Sequence, residues 1–97
     1  MRIACLGLAF KPDIDDLRES PALSIVTEIS KLGCQVIAVE PNIKKLPKVL
    51  ERENVRLGDL TSLTEADVVC VLVKHRDFLD QKDAIRAVGN VVDIVGL

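Results

Sequence analysis

The sequence predicts an α/β protein: a single domain with a three-layer, doubly wound parallel sheet. Two observations support this prediction. Near-continuous apolar runs, such as residues 2–9 and 68–73, are typical of strands buried on both faces of a parallel sheet. Segments with helical spacing separate these runs, so that strands and helices alternate along the chain. We expect four main strands, with the first between the second and third and the fourth beside the third. A short extra strand near Val55 is left open.

The first half of the chain gives two strands and one helix. Residues 2–9 form the first strand and residues 35–40 the second. Between them, Ser20 and Pro21 predict a helix start, with serine as N-cap and proline at the first helical position. Gly33 stands where a helix C-cap belongs. The apolar residues at helical spacing, and therefore expected to face inward, are Ala22, Ile25, Val26, Ile29 and Leu32.

The second half completes a Rossmann-like pattern. A brief helix is expected over residues 60–66, with Thr61 or Ser62 as its cap. A buried strand over 68–73, a helix over 77–88 and a final strand over 91–95 follow. The helix over 77–88 is expected to point these residues inward: Phe78, Leu79, Ala84, Ile85 and Val88. Leu46, Val49 and Leu50 are weak helical anchors in the segment that Pro47 interrupts.

Composition excludes several classes of protein. The chain has 97 residues and a net charge of −2, so it lacks the basic patch expected of a nucleic-acid-binding domain. Its longest apolar runs fall far short of the ~20 residues that a membrane helix needs, and its N-terminus does not resemble a signal peptide. The three cysteines include no CxxC motif and are too few for a metal site. We expect reduced thiols and a cytoplasmic location.

A charged segment follows the first strand. Residues 10–19 contain Lys11, Arg18 and four carboxylates, and they end at the predicted helix start. The carboxyl end of the first strand is where ligands bind in parallel α/β domains, and a helix N-terminus favours anions. From composition alone, an anion site and a solvated loop with weak local ion pairs remain equally open. If it is an anion site, the two cations should face the crevice beside His75.

The chain lacks the dinucleotide-binding loop GxGxxG and the phosphate loop GxxxxGK[ST]. Glu40 ends the second strand, where a ribose-binding acid would lie, but without the glycine loop a polar strand end is the better interpretation. His75, the one histidine, has no Ser or Cys nucleophile beside it in sequence. It is interpreted as a surface or loop-stabilising residue.

Residues 5–22, with Gly-Leu-Ala-Phe-Lys-Pro-x-x-Asp-Asp-x-Arg-x-Ser-Pro at their centre, resemble the signature of the C-terminal domain of the UDP-glucose/GDP-mannose dehydrogenase family. Weaker agreement at Val39 to Asn42, at Ala66-Asp67 and at His75 to Phe78 extends the resemblance over the whole chain. Residues 14–22, and residues 39–43 together with Leu46 and Pro47, are most similar to members that oxidise UDP-N-acetyl-D-mannosamine.

The resemblance implies a nucleotide-binding domain of an enzyme that oxidises the C6 alcohol of a UDP-sugar to a carboxylate with two NAD. It implies that Phe10 and Lys11 contact the UDP-sugar and that Arg18 reaches NAD held by another domain. The family's catalytic cysteine lies in a GGxCxxKD motif that this chain lacks. Residues 1–97 are therefore expected to be the UDP-sugar-binding domain of a larger, homodimeric enzyme and to be inactive alone. The end of the last predicted strand, two residues before Leu97, also indicates a piece of a longer protein.

Three alternatives remain. The sugar could instead be that of UDP-glucose or UDP-N-acetylglucosamine. A signalling domain of the receiver type would need a phospho-accepting aspartate after the third strand, where Val73 and Lys74 stand. A non-catalytic assembly domain would use the charged segment to dock on a partner protein, and UDP binding would distinguish it from the first interpretation.

Overall fold

Five parallel strands form one sheet. The computed structural model describes residues 1–8, 20–41, 43–46, 48–50 and 54–94. The strand order is β3-β2-β1-β4-β5, which confirms the predicted order of the four main strands and places the extra strand at one edge. All pairings are parallel. The strands are β1 (Arg2–Leu6), β2 (Gln35–Val39), β3 (Val55–Gly58), β4 (Val68–Val71) and β5 (Val91–Asp93).

Helices cover both faces of this sheet. They are α1 (Pro21–Lys31), α2 (Arg76–Asp80), α3 (Lys82–Arg86) and two 3-10 helices, Lys48–Leu50 and Leu60–Glu65. One core cluster joins Ala22 and Val26 of α1 to Cys5 of the sheet. The other joins Phe78 and Ile85 to the opposite face. The predicted three layers are therefore present, and the strands are buried on both sides because helices pack on each.

The start and end of α1 follow the sequence signals. The Ser20 hydroxyl accepts a hydrogen bond from the Leu23 backbone N–H, and Pro21 is the first helical residue. Gly33 adopts a φ of +87°, as expected just past a helix end. The inward face differs from the prediction, because Ser30 is buried whereas Leu32 is 80% exposed. Leu32 is the C-cap residue, beyond the last helical turn, so its side chain no longer follows the apolar stripe.

Two helix predictions need correction. The cap of the Leu60–Glu65 helix is Asp59 rather than Thr61 or Ser62. Its carboxylate accepts from the Thr61 backbone N–H and hydroxyl, and the latter contact is the main reason that its pKa is lowered. The predicted 77–88 helix is two short helices that break at Gln81, whose ψ of 20° is not helical.

The break at Gln81 divides the predicted inward face of that segment. Phe78 and Ile85 are buried, each on its own helix, whereas Leu79 is 41% exposed and Ala84 is exposed. The two buried residues lie in the same core cluster, so each short helix packs one side chain against that face of the sheet. The prediction of the inward face is therefore correct for Phe78 and Ile85 and wrong for Leu79 and Ala84.

Candidate functional site

The carboxyl ends of the three central strands meet at one edge of the sheet. Gly7 and Leu8 follow β1, Glu40 follows β2 and His75 lies four residues beyond β4. The helix α1 starts at the same edge, since it crosses back between two parallel strands. This is the edge where a parallel α/β sheet binds ligands. Segment 9–19, which carries Phe10, Lys11 and Arg18, leaves Leu8 and returns at Ser20.

The three residues predicted to bind ligand lie outside the described residues. Phe10, Lys11 and Arg18 all fall in segment 9–19, as do the four carboxylates of the charged segment. Their positions at the carboxyl edge therefore stay a prediction. The structure describes the residues on either side of this segment, which end at Leu8 and resume at Ser20.

A buried polar contact that the sequence did not predict joins Leu8, Glu40 and His75 at this edge. Glu40 is 2% exposed and His75 is fully buried. One carboxylate oxygen, Glu40 Oε1, accepts from the backbone N–H of Leu8 at 2.8 Å and lies 2.8 Å from His75 Nε2. Because a carboxylate oxygen is an acceptor, the imidazole donates from Nε2. A single oxygen thus connects the ends of β1, β2 and the chain beyond β4.

This contact settles two interpretations made from sequence. Glu40 is a polar strand end, as expected, and it is turned into the protein rather than toward a ribose. His75 is not on the surface. Its Nε2 lies 2.8 Å from Glu40 Oε1, and its ring centroid lies 5.4 Å from that of the buried Phe78 ring. That His75 stabilises the loop stays a prediction. The available signal was that both residues follow strands whose carboxyl ends share an edge. The predicted strand order brings the two residues to this edge, but only the structure shows that both side chains turn inward and meet.

Gly7 brings the chain close to β4. Its φ is +101°, and a Cβ built on it would lie 2.5 Å from Val73 Cβ. Its N–H donates to the carbonyl oxygen of Val39 at 2.8 Å, and the N–H groups of Leu72 and Val73 both donate to the carbonyl oxygen of Leu6. The direction in which the chain leaves β1 is therefore fixed by hydrogen bonds to the strands on both sides.

A cleft of about 320 Å³ opens at the same edge, between the ends of β2 and β3 and the start of α2. Asp59 and Asp77 lie on its wall, beside Pro41, Gly58 and Phe78. Two carboxylates disfavour the binding of an anion in this cleft. In the described parts of the chain, no group of three or more His, Cys, Asp or Glu side chains could hold a metal ion. No helix among those residues is long and apolar enough to cross a membrane.

Two thiols meet in the middle of the sheet. Cys5 of β1 and Cys70 of β4 are direct register partners, and both are free. Cys5 is fully buried and Cys70 is partly exposed. The hydrogen bond from Cys5 lowers the pKa of Cys70 to about 7, whereas that contact and burial raise the pKa of Cys5.

We expect iodoacetamide at pH 7 to alkylate Cys70 before Cys5, because the thiolate is the reacting form and Cys70 is the more accessible. Replacing Cys5 by alanine should slow alkylation of Cys70 about tenfold, since the thiolate loses its hydrogen-bond donor. Mass spectrometry of timed samples gives the rate at each thiol. Cys34 is the internal control, and an equal slowing at Cys34 would indicate a general structural change instead.

Known proteins include relatives that match most of this chain. Residues 4–95 match the model of the UDP-glucose/GDP-mannose dehydrogenase family, UDP binding domain. The chain is 57% identical over 88 residues to UDP-N-acetyl-D-mannosamine dehydrogenase of Campylobacter jejuni, covering 87% of this chain and 22% of that protein. It is 48% identical over 77 residues to NDP-N-acetyl-D-galactosaminuronic acid dehydrogenase of Ralstonia nicotianae, covering 78% of this chain and 18% of that protein.

Solved structures show the same fold. A ternary complex of GDP-mannose dehydrogenase from Pseudomonas aeruginosa superimposes with a TM-score of 0.75 at 23% identity, over 97% of this chain and 24% of that one. The chain spans about a fifth of the length of the curated relatives it matches.

Proposed function

Because this chain belongs to the UDP-glucose/GDP-mannose dehydrogenase family, we propose that it is the UDP-sugar-binding, C-terminal domain of an NAD-dependent UDP-sugar 6-dehydrogenase. The proposed substrate is UDP-N-acetyl-D-mannosamine, oxidised at C6 to the uronate. The observation that carries the proposal is the match over residues 4–95, which includes the motif segment leaving the ligand edge of β1. The similarity to the Campylobacter jejuni enzyme supports the choice of sugar.

Lys11 and Phe10 are the proposed UDP-sugar contacts in this chain. Lys11 follows Leu8 by three residues, which an extended chain spans in about 10 Å. Leu8 is fixed at the carboxyl edge by Glu40, which supports the proposal that the Lys11 ammonium binds the diphosphate near that edge. The N-terminus of α1, capped by Ser20, adds a partial positive charge to the same edge.

NAD is proposed to bind mainly to a domain outside this chain. The described edge does not fit a self-contained dinucleotide site, because it lacks the glycine-rich turn and because Glu40 is buried and bonded to Leu8 and His75. Arg18, two residues before the α1 cap, is the proposed contribution of this chain to NAD. The catalytic thiol is also proposed to lie in a domain outside this chain, so the 97 residues alone are proposed to be inactive.

The whole enzyme is proposed to be a cytoplasmic homodimer that serves polysaccharide biosynthesis. UDP-glucose and UDP-N-acetylglucosamine are alternative substrates. The similarity to the Ralstonia nicotianae relative is a reason to test other N-acetylated UDP-sugars as well. Incubating the intact enzyme with NAD and each UDP-sugar separates these substrates by the rate of NADH formation. A preference for UDP-glucose would overturn the assignment of the sugar, although not that of the domain.

Calorimetry of UDP against the 97-residue chain and against the intact enzyme tests the division of the site. Micromolar affinity is expected only for the intact enzyme, because most contacts that offset loop ordering lie in other domains. Micromolar binding by the 97-residue chain would show that it holds the complete site. Absence of binding by the intact enzyme would leave the assembly-domain alternative.

Replacing Arg18 by alanine in the intact enzyme should raise the KM for NAD about tenfold, since a hydrogen bond to a charged group is worth about 1.5–3 kcal/mol. The KM for the UDP-sugar should change little. Steady-state kinetics with each substrate varied in turn measures both. Arg56→Ala removes an exposed ion pair with Glu65, at 2.8 Å, and serves as the matched control. An equal effect of Arg18→Ala on both KM values would contradict a specific role toward NAD.

A further inference from the structure

We propose that Glu40 and His75 are positioning residues for the nucleotide-binding segment 9–19: Glu40 fixes Leu8, from which the segment leaves, and His75 fixes Glu40. This inference rests on the proposed function for its effect on UDP, and on the geometry of the carboxyl edge for its structural part. It gives His75 a role that the sequence left open.

The first step is the local geometry of Leu8. The N–H groups of Gly7 and Leu8 donate to two successive residues at the end of β2. The Gly7 N–H donates to the carbonyl oxygen of Val39, and the Leu8 N–H donates to the carboxylate of Glu40. The first bond continues the strand ladder. The second uses a side chain in place of a carbonyl, at the position where the chain stops following β2. The Glu40 side chain therefore sets the orientation of the Gly7–Leu8 peptide.

The second step is the position of the carboxylate itself. Glu40 is 2% exposed, and a carboxylate at that depth costs free energy unless it is hydrogen-bonded. His75 Nε2 lies 2.8 Å from the same oxygen that accepts from Leu8. The His75 ring packs on Phe78, which is fully buried, so the imidazole is held by the core beneath α2. The chain of contacts runs from the core through His75 and Glu40 to Leu8.

The third step compares Glu40 and His75 with apolar side chains at the same two positions. A leucine at position 40 would bury no charge, but it would leave the Leu8 N–H without the acceptor that Glu40 now provides. A leucine at position 75 would leave the Glu40 carboxylate without the imidazole that lies 2.8 Å from it. A stabilising role alone is thus met more simply by apolar residues, whereas orienting the start of segment 9–19 requires the polar pair.

The experiment uses the ¹⁵N-labelled 97-residue chain with His75→Leu, His75→Gln and Asn54→Ala. His75→Gln retains an amide donor at about the reach of Nε2 and is the conservative rescue. Asn54 is the control because its side-chain amide donates to the carbonyl oxygens of Ser30 (2.7 Å) and Cys34 (2.9 Å), at the opposite edge of the sheet. Amide spectra report residues 9–19 and hydrogen exchange reports Leu8, both in the 97-residue chain. A UDP titration of the intact enzyme with the same substitutions reports binding.

For His75→Leu we expect shifted amide signals across residues 9–19 and Leu8 exchange at least tenfold faster than in Asn54→Ala, both in the 97-residue chain. In the intact enzyme we expect UDP binding about tenfold weaker. His75→Gln should recover most of each change. If His75→Leu does not fold, the double variant Glu40→Gln with His75→Leu removes the buried charge and is measured instead.

Unchanged signals for residues 9–19, or equal effects of His75→Leu and Asn54→Ala, would overturn the inference whatever happens to UDP binding. Shifted signals with unaltered UDP affinity would also overturn it, because the segment would be moved without consequence for the nucleotide. If the unmodified chain and the intact enzyme both fail to bind UDP, the proposed function fails. The structural part of the inference is then still decided by the amide signals and Leu8 exchange.

Discussion

Replacing Lys11 by alanine in the proposed intact dehydrogenase is expected to weaken UDP-sugar binding ten- to a hundredfold. A charge-assisted hydrogen bond to a phosphate is worth about 1.5–3 kcal/mol, and alanine cannot replace it. The loss should appear in the calorimetric affinity for UDP and in kcat/KM for the UDP-sugar. It should shrink as salt is raised, because added ions screen the attraction between the Lys11 ammonium and the phosphate in the unmodified enzyme. In the 97-residue chain alone the effect should nearly vanish, since binding there is weak from the start.

Lys31→Ala is the matched control for that measurement. Lys31 is in the last turn of α1, at the end of the helix remote from the carboxyl edge, and its ammonium pairs with Glu28 at 3.6 Å. Removing the same charge there should leave UDP binding unchanged. An unaltered affinity in Lys11→Ala would remove Lys11 from the site, and equal losses in both variants would indicate a nonspecific effect of net charge.

Replacing Gly7 by alanine is expected to destabilise the domain by about 2–5 kcal/mol, from the sum of a positive φ and an overpacked contact. The φ of +101° disfavours any Cβ, and the new atom would lie 2.5 Å from Val73 Cβ and 2.9 Å from its Cγ2. Both obstacles are backbone-proximal atoms, which cannot move without shifting β1 away from the end of β4. Urea unfolding of the 97-residue chain measures the change in the free energy of unfolding.

Gly89→Ala separates the two causes. Its φ is +98°, close to that of Gly7, but nothing lies within 4 Å of a Cβ built there. It should therefore cost only the backbone term, about 1–2 kcal/mol. Equal destabilisation by the two substitutions would show that the approach of Gly7 to Val73 contributes nothing, and the close packing at the ligand edge would then need another explanation.

The sheet was predictable because its signals are local. Strands buried on both faces are apolar throughout, so β1, β2 and β4 stand out from their surroundings in the sequence. The start of α1 was equally clear, because Ser20 and Pro21 act on the residues immediately after them. The order of the strands followed from the alternation of strand and helix, which restricts parallel connections to few arrangements.

Helix boundaries and inward faces were less predictable because packing competes with periodicity. The spacing of Phe78 and Ile85 suits one continuous helix, yet the backbone breaks at Gln81 and each half places one side chain in the core. Asp59 displaced Thr61 as a helix cap because its carboxylate is the stronger acceptor at that position. Such outcomes depend on small differences in free energy between local alternatives.

By itself, the sequence determined the fold class, the family resemblance and the segment in which ligand-binding residues are expected. Only the tertiary structure decided that Glu40 and His75 are partners. They are 35 residues apart and follow strands that are not neighbours in the sheet, with β1 between them. No periodicity or motif can report such a contact, since the free energy that selects it comes from burying both side chains against residues brought together by the fold. The same holds for Gly7, whose need for glycine comes from Val73, a residue 66 positions further along the chain.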